Sequence, residues 1–437
     1  MTNCTQSSLS FLPLGRRKVE AEFTGGAVSS DGGALLLRQI DKRLGLTRAL
    51  DDIIPDPRDP RYVTHDQLTL LRQRIYGLAL GYEDLNDHTD IRLDPAIQTA
   101  VSESDELASA STLCRFENRV DRKVAVDCHR LMVDQFIASF DSVPKQLILD
   151  VDATDDRVHG EQVGRFFHGY YRHYCFLPLY VFCGDQLLVS YLRPSRIDGA
   201  KHTWGMVALL VKYLRQVWPQ VEIVLRGDSG FCRRKMLSWC DRHGVGYVIG
   251  MAKNNRLNQR IEQSMREAEQ ASAQAQEKIR WFTSFDYQAG SWDQARRIVA
   301  KIEVTLKGRN PRYIVTNLKG EAEDLYDHLY CPRGEMENQI KQQQLDLFAD
   351  RTSCHEWWAN QFRLLMSSMA YTLLNALRRI ALQHTPLARA YVGTIRLKLL
   401  KIGAVILRNT RRIRFLLCSH YPDKDLFAQT MQRLAPG

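Results

Sequence analysis

Two short apolar segments that end in aspartate decide the fold of this 437-residue chain. They are Gln146-Leu147-Ile148-Leu149-Asp150-Val151-Asp152 and Val221-Glu222-Ile223-Val224-Leu225-Arg226-Gly227-Asp228. A short apolar run of this kind predicts a buried strand. Because ligands bind at the carboxyl ends of strands in α/β sheets, the terminal aspartates are candidates for chemistry. Asp150 and Asp152 are two residues apart and therefore share one face of their strand.

The sequence around these segments alternates between strand and helix patterns. Further strands are predicted at 174–182, 186–192 and 246–250, with a hairpin turn at Gly184-Asp185, and helices at 204–217 and 231–242. This order predicts an α/β domain with a mixed sheet. Residues 1–30 are irregular, and the rest of 1–140 is mostly helical. Beyond the sheet, extended pieces are predicted at 281–287, 296–306 and 312–316.

The last part of the chain returns to helix. Residues 334–348 and 356–383 give the clearest helical patterns, and the second is apolar nearly all round, which predicts a buried core helix. Residues 394–416 alternate between apolar and basic side chains. We interpret them as a strand with one basic face, followed by a basic helix.

Composition excludes several classes of protein. Hydrophobic residues make up 44% of the chain and charged residues 25%, as in ordinary globular proteins, which excludes disordered tails, collagens and coiled coils. No uncharged apolar run reaches about 18 residues, so we expect no membrane span. Residues 1–17 do not resemble a secretory signal. The ten cysteines include no C-x-x-C pair, so we expect reduced thiols and no zinc site.

Positive charge is concentrated near the end of the chain. The net charge of +10 and the isoelectric point near 9.1 make a polyanion, nucleic acid first, a plausible partner. Residues 351–437 hold 14 Lys and Arg against 3 Asp and Glu, a net of +11, so the first 350 residues sum to −1. This segment contains Arg408, Arg411, Arg412 and Arg414. The alternative explanation is a solvated basic face.

A site that holds two Mg²⁺ ions needs a third acid beside the two strand ends. Glu337 is the candidate, on a predicted helix where Arg333 and Lys341 lie four residues before and after it. On spacing alone, a salt-bridge ladder is the commoner explanation for this helix. A turn or N-cap residue is likewise the commoner explanation for an isolated aspartate at a strand end.

Three motifs in this order resemble the DDE transposases of bacterial insertion sequences, specifically the insertion sequence 1380 family within the insertion sequence 4-like group. They are Leu149-Asp150-Val151-Asp152-Ala153-Thr154-Asp155-Asp156 with His159-Gly160-Glu161-Gln162, Leu225-Arg226-Gly227-Asp228-Ser229-Gly230-Phe231-Cys232, and Tyr330-x2-Arg333-x3-Glu337. Ser29-x-Asp31-Gly32-Gly33, Ala108-Ser109-x-Ser111-Thr112-x-x-Arg115-Phe116-Glu117 and Ala359-Asn360-Gln361-Phe362-Arg363-Leu364 also resemble that family. The resemblance covers roughly residues 20–420.

The resemblance implies a ribonuclease-H-like catalytic core at 141–349, with a β-rich subdomain inserted at about 255–318. A helical DNA-binding region at 1–140 and a basic, mainly helical region at 350–437 would flank it.

The resemblance also implies the roles of the site residues. Asp152, Asp228 and Glu337 would be the catalytic acids and would bind two Mg²⁺ ions, for which Mn²⁺ could substitute. Asp150 stays open as an alternative to Asp152. Tyr330, Arg333 and Lys341 would contact DNA, as would the basic residues Arg408, Arg411, Arg412 and Arg414. The family signature continues to a lysine at position 344, where this sequence has glutamine.

The implied activity is binding of the terminal inverted repeats of an insertion sequence, followed by metal-dependent DNA cleavage and strand transfer. Double-stranded DNA, as transposon ends and target, would be the partner of a homodimer in a synaptic complex. The location would be the bacterial cytoplasm, at the nucleoid. The alternatives are a ribonuclease-H-like nuclease without strand transfer and a domesticated, non-catalytic DNA-binding protein. The sequence has neither a G-x-G-x-x-G nor a Walker A motif, so a metabolic α/β enzyme has no support.

Overall fold

A computed structural model describes residues 8–102 and 105–435 of the chain. Its strands are β1 (Leu9–Leu14), β2 (Arg17–Ala21), β3 (Val28–Ser29), β4 (Gln146–Ala153), β5 (Asp156–Arg157), β6 (Phe166–His168), β7 (His173–Phe176), β8 (Leu179–Cys183), β9 (Gln186–Tyr191), β10 (Glu222–Gly227), β11 (Gly246–Met251), β12 (Ile279–Tyr287), β13 (Arg296–Thr305), β14 (Gly308–Arg309), β15 (Arg312–Thr316), β16 (Ala404–Asn409) and β17 (Arg412–Leu417).

Its helices are α1 (Ala34–Leu44), α2 (Leu46–Ile53), α3 (Gln67–Leu80), α4 (Asp87–Ile91), α5 (Pro95–Val101), α6 (Ala110–Glu117), α7 (Arg122–Ile137), α8 (Thr203–Val217), α9 (Arg234–Arg242), α10 (Asn255–Arg260), α11 (Glu262–Ala275), α12 (Ala322–Asp324), α13 (Gly334–Lys341), α14 (Trp357–Ala381), α15 (Val392–Ile395) and α16 (Lys424–Leu434). Wider π-helical turns occupy Leu325–Tyr330, Gln342–Asp346 and Arg396–Leu400. Among the described residues, no helix is both long enough and apolar enough to cross a membrane.

The centre of the large sheet consists of five strands in the order β9-β8-β4-β10-β11. Strands β4, β10 and β11 are parallel, whereas β8 runs antiparallel to β4 and β9 antiparallel to β8. Helices α8 and α9 make the connections between β9, β10 and β11. This mixed sheet with helical flanks confirms the predicted α/β, ribonuclease-H-like fold class.

The inserted segment after β11 is rich in β-structure, as the sequence predicts. Its strand β15 pairs antiparallel with β11, β13 pairs with β15, and β12 pairs with β13. The inserted strands therefore continue the main sheet, which reaches nine strands in all. Helices α10 and α11 precede these strands, and buried Leu257 and Met265 pack them into the main core.

The two faces of β4 have opposite character. Leu147, Leu149 and Val151 lie in the main apolar core, together with residues of α7, α8 and α9. Because side chains alternate along a strand, Asp150 and Asp152 point to the other face. On that face, buried Leu325 and Tyr326 of the π-helical turn pack against the neighbouring strands β11, β13 and β15.

By compactness, the described residues of the chain divide into two units. One unit contains Met1–Glu117 and Met369–Gly437, and the other is Asn118–Ser368. These boundaries differ from the sequence-based divisions at 140 and 349. In particular, α7 belongs to the unit with the large sheet, because the ring of His129 on α7 hydrogen-bonds the backbone of Ser190 on β9.

The Ser29–Gly33 motif joins the two ends of the chain within the first unit. The Asp31 carboxylate is fully buried, accepts a 2.7 Å hydrogen bond from the Tyr82 hydroxyl, and lies 2.7 Å from the Lys401 ammonium group. The amide of Gly32 donates to the carbonyl of Ile402, and that of Gly33 donates to Leu400. The motif therefore has a structural role in this chain.

The order of elements predicted for 394–416 is wrong. The structure has a helical segment first, at 392–400, and then the hairpin of β16 and β17, which also pairs with β3. Tertiary contacts stabilise the helical segment, because Leu399 and Leu400 are buried and Arg396 donates to the carbonyls of Leu78 and Ala79 at the end of α3. The strict alternation at 395–399 falls on the helical segment, whereas Arg408, Arg411, Arg412 and Arg414 belong to the hairpin and its turn.

A methyl group at Gly33 should destabilise the protein. A Cβ there would lie 1.9 Å from the Leu399 carbonyl oxygen and 2.6 Å from the Leu400 Cα, both backbone atoms that cannot rotate away. We expect Gly33→Ala to lower the free energy of unfolding by about 1–3 kcal/mol or more.

Gly205→Ala is the matched control. Nothing lies within 4 Å of a Cβ at Gly205, which is inside α8, so alanine should be neutral or stabilising there by up to about 1 kcal/mol. Urea unfolding of both variants checks this. Equal stability of the two would contradict the close approach of Gly33 to the backbone at 399–400.

Candidate active site

A buried ion pair stands between the two central parallel strands. Asp150 on β4 is directly opposite Arg226 on β10, and the guanidinium group donates to the carboxylate at 2.5 and 2.7 Å. Arg226 also donates to the carbonyl of Leu329, 2.7 Å away, in the π-helical turn. Both carboxylate oxygens of Asp150 are therefore engaged by protein.

Asp152 lies on the same face of β4, beyond this ion pair. Burial raises the pKa of its carboxyl to about 6, opposed by a hydrogen bond from the Ala153 amide and by nearby Arg333, while Asp228 and Glu337 raise it further. Its side chain is 17% exposed, so it remains open to a ligand. Of the two candidates for the first acid, only Asp152 is both accessible and influenced by the other acids.

Asp228 follows the last residue of β10. Its side chain accepts a 2.8 Å hydrogen bond from the Gly230 amide and caps the short helical turn Ser229–Phe231. The N-cap alternative from the sequence therefore describes its local structure. Because the register of β4 and β10 pairs Asp150 with Arg226, Asp228 emerges beside Asp152 at the same sheet edge.

Arg333 connects the acids from β4 and α13. Its guanidinium group is 2.9 Å from the Glu337 carboxylate and 3.6 Å from that of Asp152. Burial lowers the pKa of Arg333, but Asp152, Tyr330, Glu337 and Asp228 raise it by a larger amount. All three predicted acids therefore act electrostatically on one guanidinium group. The i,i+4 salt bridge that the sequence allowed as an alternative is present between Arg333 and Glu337.

Tyr330 packs tightly against the end of the sheet. A Cβ at Gly250 of β11 would lie 2.5 Å from the Tyr330 hydroxyl and 2.9 Å from the Ser229 amide nitrogen. Burial raises the pKa of Tyr330, and Arg333 opposes this shift. The absence of a side chain at Gly250 therefore lets the π-helical turn that ends at Tyr330 approach the loop that carries Asp228.

Gln344, where the family signature has lysine, points into the protein. Its amide group donates to the Asp155 carbonyl and to the Asp156 carboxylate, both at 3.0 Å. Asp156 is fully buried, and burial raises its pKa far above the ordinary value. Gln344 thus supports the loop after Asp152. Lys341 is exposed on α13.

The described residues contain no group of three His, Cys, Asp or Glu side chains placed to hold a metal ion together. The donor chemistry nevertheless fits a hard cation, because Asp152, Asp228 and Glu337 offer only carboxylate oxygens. A cationic group, the guanidinium of Arg333, already contacts two of them. Two of the three carboxylates thus already lie beside a positively charged group.

The basic residues of the β16–β17 hairpin have different surroundings. The guanidinium group of Arg408 donates to the side chains of Gln98 and Thr99 and to the carbonyl of Pro95, so it attaches the hairpin to α5. Arg411, Arg412 and Arg414 are exposed, around the hairpin turn. The nine cysteines within the described residues are not part of disulfide bonds, and Cys4 lies outside those residues.

Sequence reasoning missed the structural importance of Arg226 and Gly250. The sequence did contain a signal for Arg226. Asp150 stands two residues before Asp152, and Arg226 stands two residues before Asp228, so the two apolar strands carry opposite charges at equivalent positions. Parallel pairing of the two strands would place them side by side. Gly250 gave no comparable signal, since its role depends on a helical segment 80 residues later.

Comparison with known proteins identifies the family of the chain. Residues 11–436 match the family described as Transposase DDE domain group 1, so the chain belongs to that family. A search of curated proteins finds no match. Among solved structures, the chain is similar to a piggyBac transposase in a synaptic complex with hairpin DNA, with 10% sequence identity and a TM-score of 0.44 over 84% of this chain and 80% of that one.

The protein is therefore a DDE transposase, an enzyme of the polynucleotidyl transferase and nuclease kind. Domains of this family generally use divalent metal ions. The match does not extend to the insertion sequence 1380 family in particular.

The raised pKa of Asp152 should make the free energy of unfolding depend on pH. Its pKa is about 6 in the folded protein against 3.8 ordinarily, so the folded state binds the proton more tightly. Its contribution to the free energy of unfolding is therefore lost as the pH rises from about 4 to 6, by up to about 3 kcal/mol. Asp152→Asn removes this dependence, so the variant should gain stability relative to wild type across that range.

Urea unfolding at a series of pH values measures this difference. Glu335→Gln, an exposed residue on the same helix as Glu337, is the control and should follow wild type at every pH. A stability difference between Asp152→Asn and wild type that does not change with pH would contradict the assignment.

Proposed function

We propose that this transposase binds the terminal inverted repeats of an insertion sequence, cleaves DNA at those ends and joins them to target DNA. Asp152, Asp228 and Glu337 are the catalytic acids. One observation carries the proposal: carboxylates from β4, from the end of β10 and from α13 act on the same guanidinium group at one edge of the sheet, whereas Asp150 is neutralised by Arg226.

The reaction has two phosphoryl-transfer steps. Water first attacks the phosphate at the transposon end and frees a 3′-hydroxyl, and this hydroxyl then attacks a phosphate of target DNA. Neither step needs a covalent bond to the protein. Two divalent ions, Mg²⁺ with Mn²⁺ as substitute, would supply activation of the nucleophile and stabilisation of the leaving oxygen.

The residues of this chain hold the acids and the phosphate in position. The Gly230 amide donates to the Asp228 carboxylate and orients it, and the Ala153 amide does the same for Asp152. Arg333 would donate to the non-bridging phosphate oxygens, as guanidinium groups do at transferring phosphates. In doing so it would exchange its bond to Glu337 for one to DNA, which frees that carboxylate for metal. Lys341 and Tyr330 would contact the neighbouring backbone.

Other parts of the chain would hold DNA outside the reaction centre. We assign recognition of the inverted repeats to the helices of residues 1–140, and sequence-independent affinity to the basic hairpin of β16 and β17. Synapsis of two ends would require a homodimer, located at the bacterial nucleoid. Membership of the insertion sequence 1380 family is part of this proposal, and paired inverted repeats in the DNA on both sides of the gene would support it.

Loss of any one of the three acids should abolish cleavage but not binding. We expect Asp228→Ala, Asp152→Asn and Glu337→Gln each to lower the cleavage rate of a DNA duplex that carries a transposon end by at least about 10³-fold, because each removes a charged group from the reaction centre. End binding should remain, as measured by fluorescence anisotropy with labelled duplex.

The matched control is Glu335→Gln, two residues before Glu337 and exposed on the same helix, which should cut like wild type. Cutting that persists in Asp228→Ala would refute the site. Pre-cleaved ends incubated with a target plasmid and Mg²⁺ test strand transfer. Cleavage without joined product would identify a nuclease, and DNA binding without any cleavage a domesticated binding protein.

Removal of the exposed arginines of the C-terminal hairpin should weaken binding in a salt-dependent way. The triple variant Arg411→Ala, Arg412→Ala, Arg414→Ala removes exposed charges, so the slope of log K against log salt should decrease by about 2–3. Arg408→Ala is the comparison, because its guanidinium group bonds to α5. It should mainly lower the melting temperature. An unchanged salt slope in the triple variant would show that this surface is only solvated.

A further inference from the structure

The first two strands form a β-ribbon that stands apart from the other sheets. Among the described residues, β1 and β2 pair only with each other, around a turn at Gly15-Arg16 where Gly15 has the left-handed φ of 63°. Every residue from 8 to 28 is exposed. The sequence predicted no regular structure for this segment. The described part of the chain therefore covers neither face of the ribbon.

The tip of the ribbon combines positive charge with exposed apolar side chains. It has the sequence Leu12-Pro13-Leu14-Gly15-Arg16-Arg17-Lys18. Leu12 is 92% exposed and Leu14 is 74% exposed, while the three cations follow one another directly. The nearest acids, Glu20 and Glu22, lie toward the base of the ribbon. Residues 12–18 thus carry a charge of +3 and include no acidic residue.

An isolated two-stranded ribbon is marginally stable in water, and exposed leucines at its tip add a further cost. A bound partner would remove both disadvantages. Three adjacent cations repel one another and so favour a polyanion as that partner. A two-stranded ribbon also fits DNA, because β-ribbon proteins place their strands in the major or the minor groove.

We propose that the β1–β2 ribbon is a DNA-binding arm. Arg16, Arg17 and Lys18 contact phosphates on both sides of a groove, and Leu12 and Leu14 enter the groove between them. Apolar side chains at such positions contact or partly unstack base steps and bend the duplex. This inference rests on the proposed function in that the DNA is a transposon end or its target, but it concerns an element outside the reaction centre.

A second copy of the chain is the competing occupant. One face of the ribbon is apolar, because the register pairs Leu9 with Ala21 and Phe11 with Val19. The charge at the tip favours DNA, since a second copy would also have a net charge of +10. Measurement of the oligomeric state separates the two possibilities.

The first test removes the charge at the tip. Arg16→Ala, Arg17→Ala, Lys18→Ala in the full-length chain should weaken binding of a short mixed-sequence DNA duplex by about tenfold or more at moderate salt and lower the salt slope by about 2–3. Because these residues are exposed, thermal unfolding should match wild type. The control is Lys145→Ala, Lys307→Ala, Lys319→Ala, which removes the same charge from exposed lysines of the other compact unit and should change the slope less.

The second test removes the apolar side chains of the tip. Leu12→Ser with Leu14→Ser should keep most of the salt slope but reduce the bend of a duplex labelled at both ends, measured by energy transfer. At saturating protein concentration, the charge variant should still bend the duplex in part. Equal bending and equal affinity of the leucine variant and wild type would remove the leucines from the proposal.

The outcomes separate this inference from the proposed function. If wild type binds and cuts DNA while both tip variants bind with unchanged affinity and salt slope, the arm is refuted and the function stands. If wild type binds no DNA, both fail. If neither tip variant affects DNA binding and the leucine variant lowers the dimer fraction in sedimentation, the ribbon contacts a second copy, and the DNA-binding arm is refuted.

Discussion

The ion pair between Asp150 and Arg226 is the interaction on which the rest of the candidate active site depends. Two opposite charges in neighbouring parallel strands are stable in an apolar sheet only when each satisfies the other, because an unpaired buried charge costs several kcal/mol. The pair fixes the register of β4 and β10 and so places Asp152 beside Asp228. Nη1 of Arg226 donates to the Leu329 carbonyl in the π-helical turn 325–330. This bond attaches the segment that leads into the helix of Glu337 to the same sheet edge.

The ordinary structural explanations for the acids are present together with the arrangement proposed for catalysis. Asp228 is an N-cap, and Glu337 forms an i,i+4 salt bridge. These bonds orient carboxylates that would otherwise rotate freely. The bond between Arg333 and Glu337 also balances negative charge at the sheet edge when no other cation is bound. A local structural role and a catalytic role are therefore compatible in the same side chain.

The location of positive charge has a physical consequence. Acids that bind metal ions cannot lie close to many basic side chains, because these would neutralise them. In this chain the excess positive charge lies elsewhere, beyond residue 350. The structure places Arg411, Arg412 and Arg414 around a hairpin turn and three further cations at the tip of the N-terminal ribbon. Both basic tips belong to the same compact unit. Two adjacent strands present side chains on a narrow, projecting support, which suits contact with a groove.

The sequence by itself determined the class of fold, the three acids as candidates and the location of the excess charge, because apolar periodicity, strand-end residues and composition are local properties. Only tertiary structure shows that Asp150 is paired with Arg226 while Asp152 stays accessible, since this depends on which residue of a neighbouring strand lies opposite each acid. It also decided the order of helix and hairpin after 392, where long-range contacts of Arg396 outweigh the local alternation. The N-terminal ribbon needed the structure as well, because its apolar residues have no core to fill and give no pattern that distinguishes them from irregular chain.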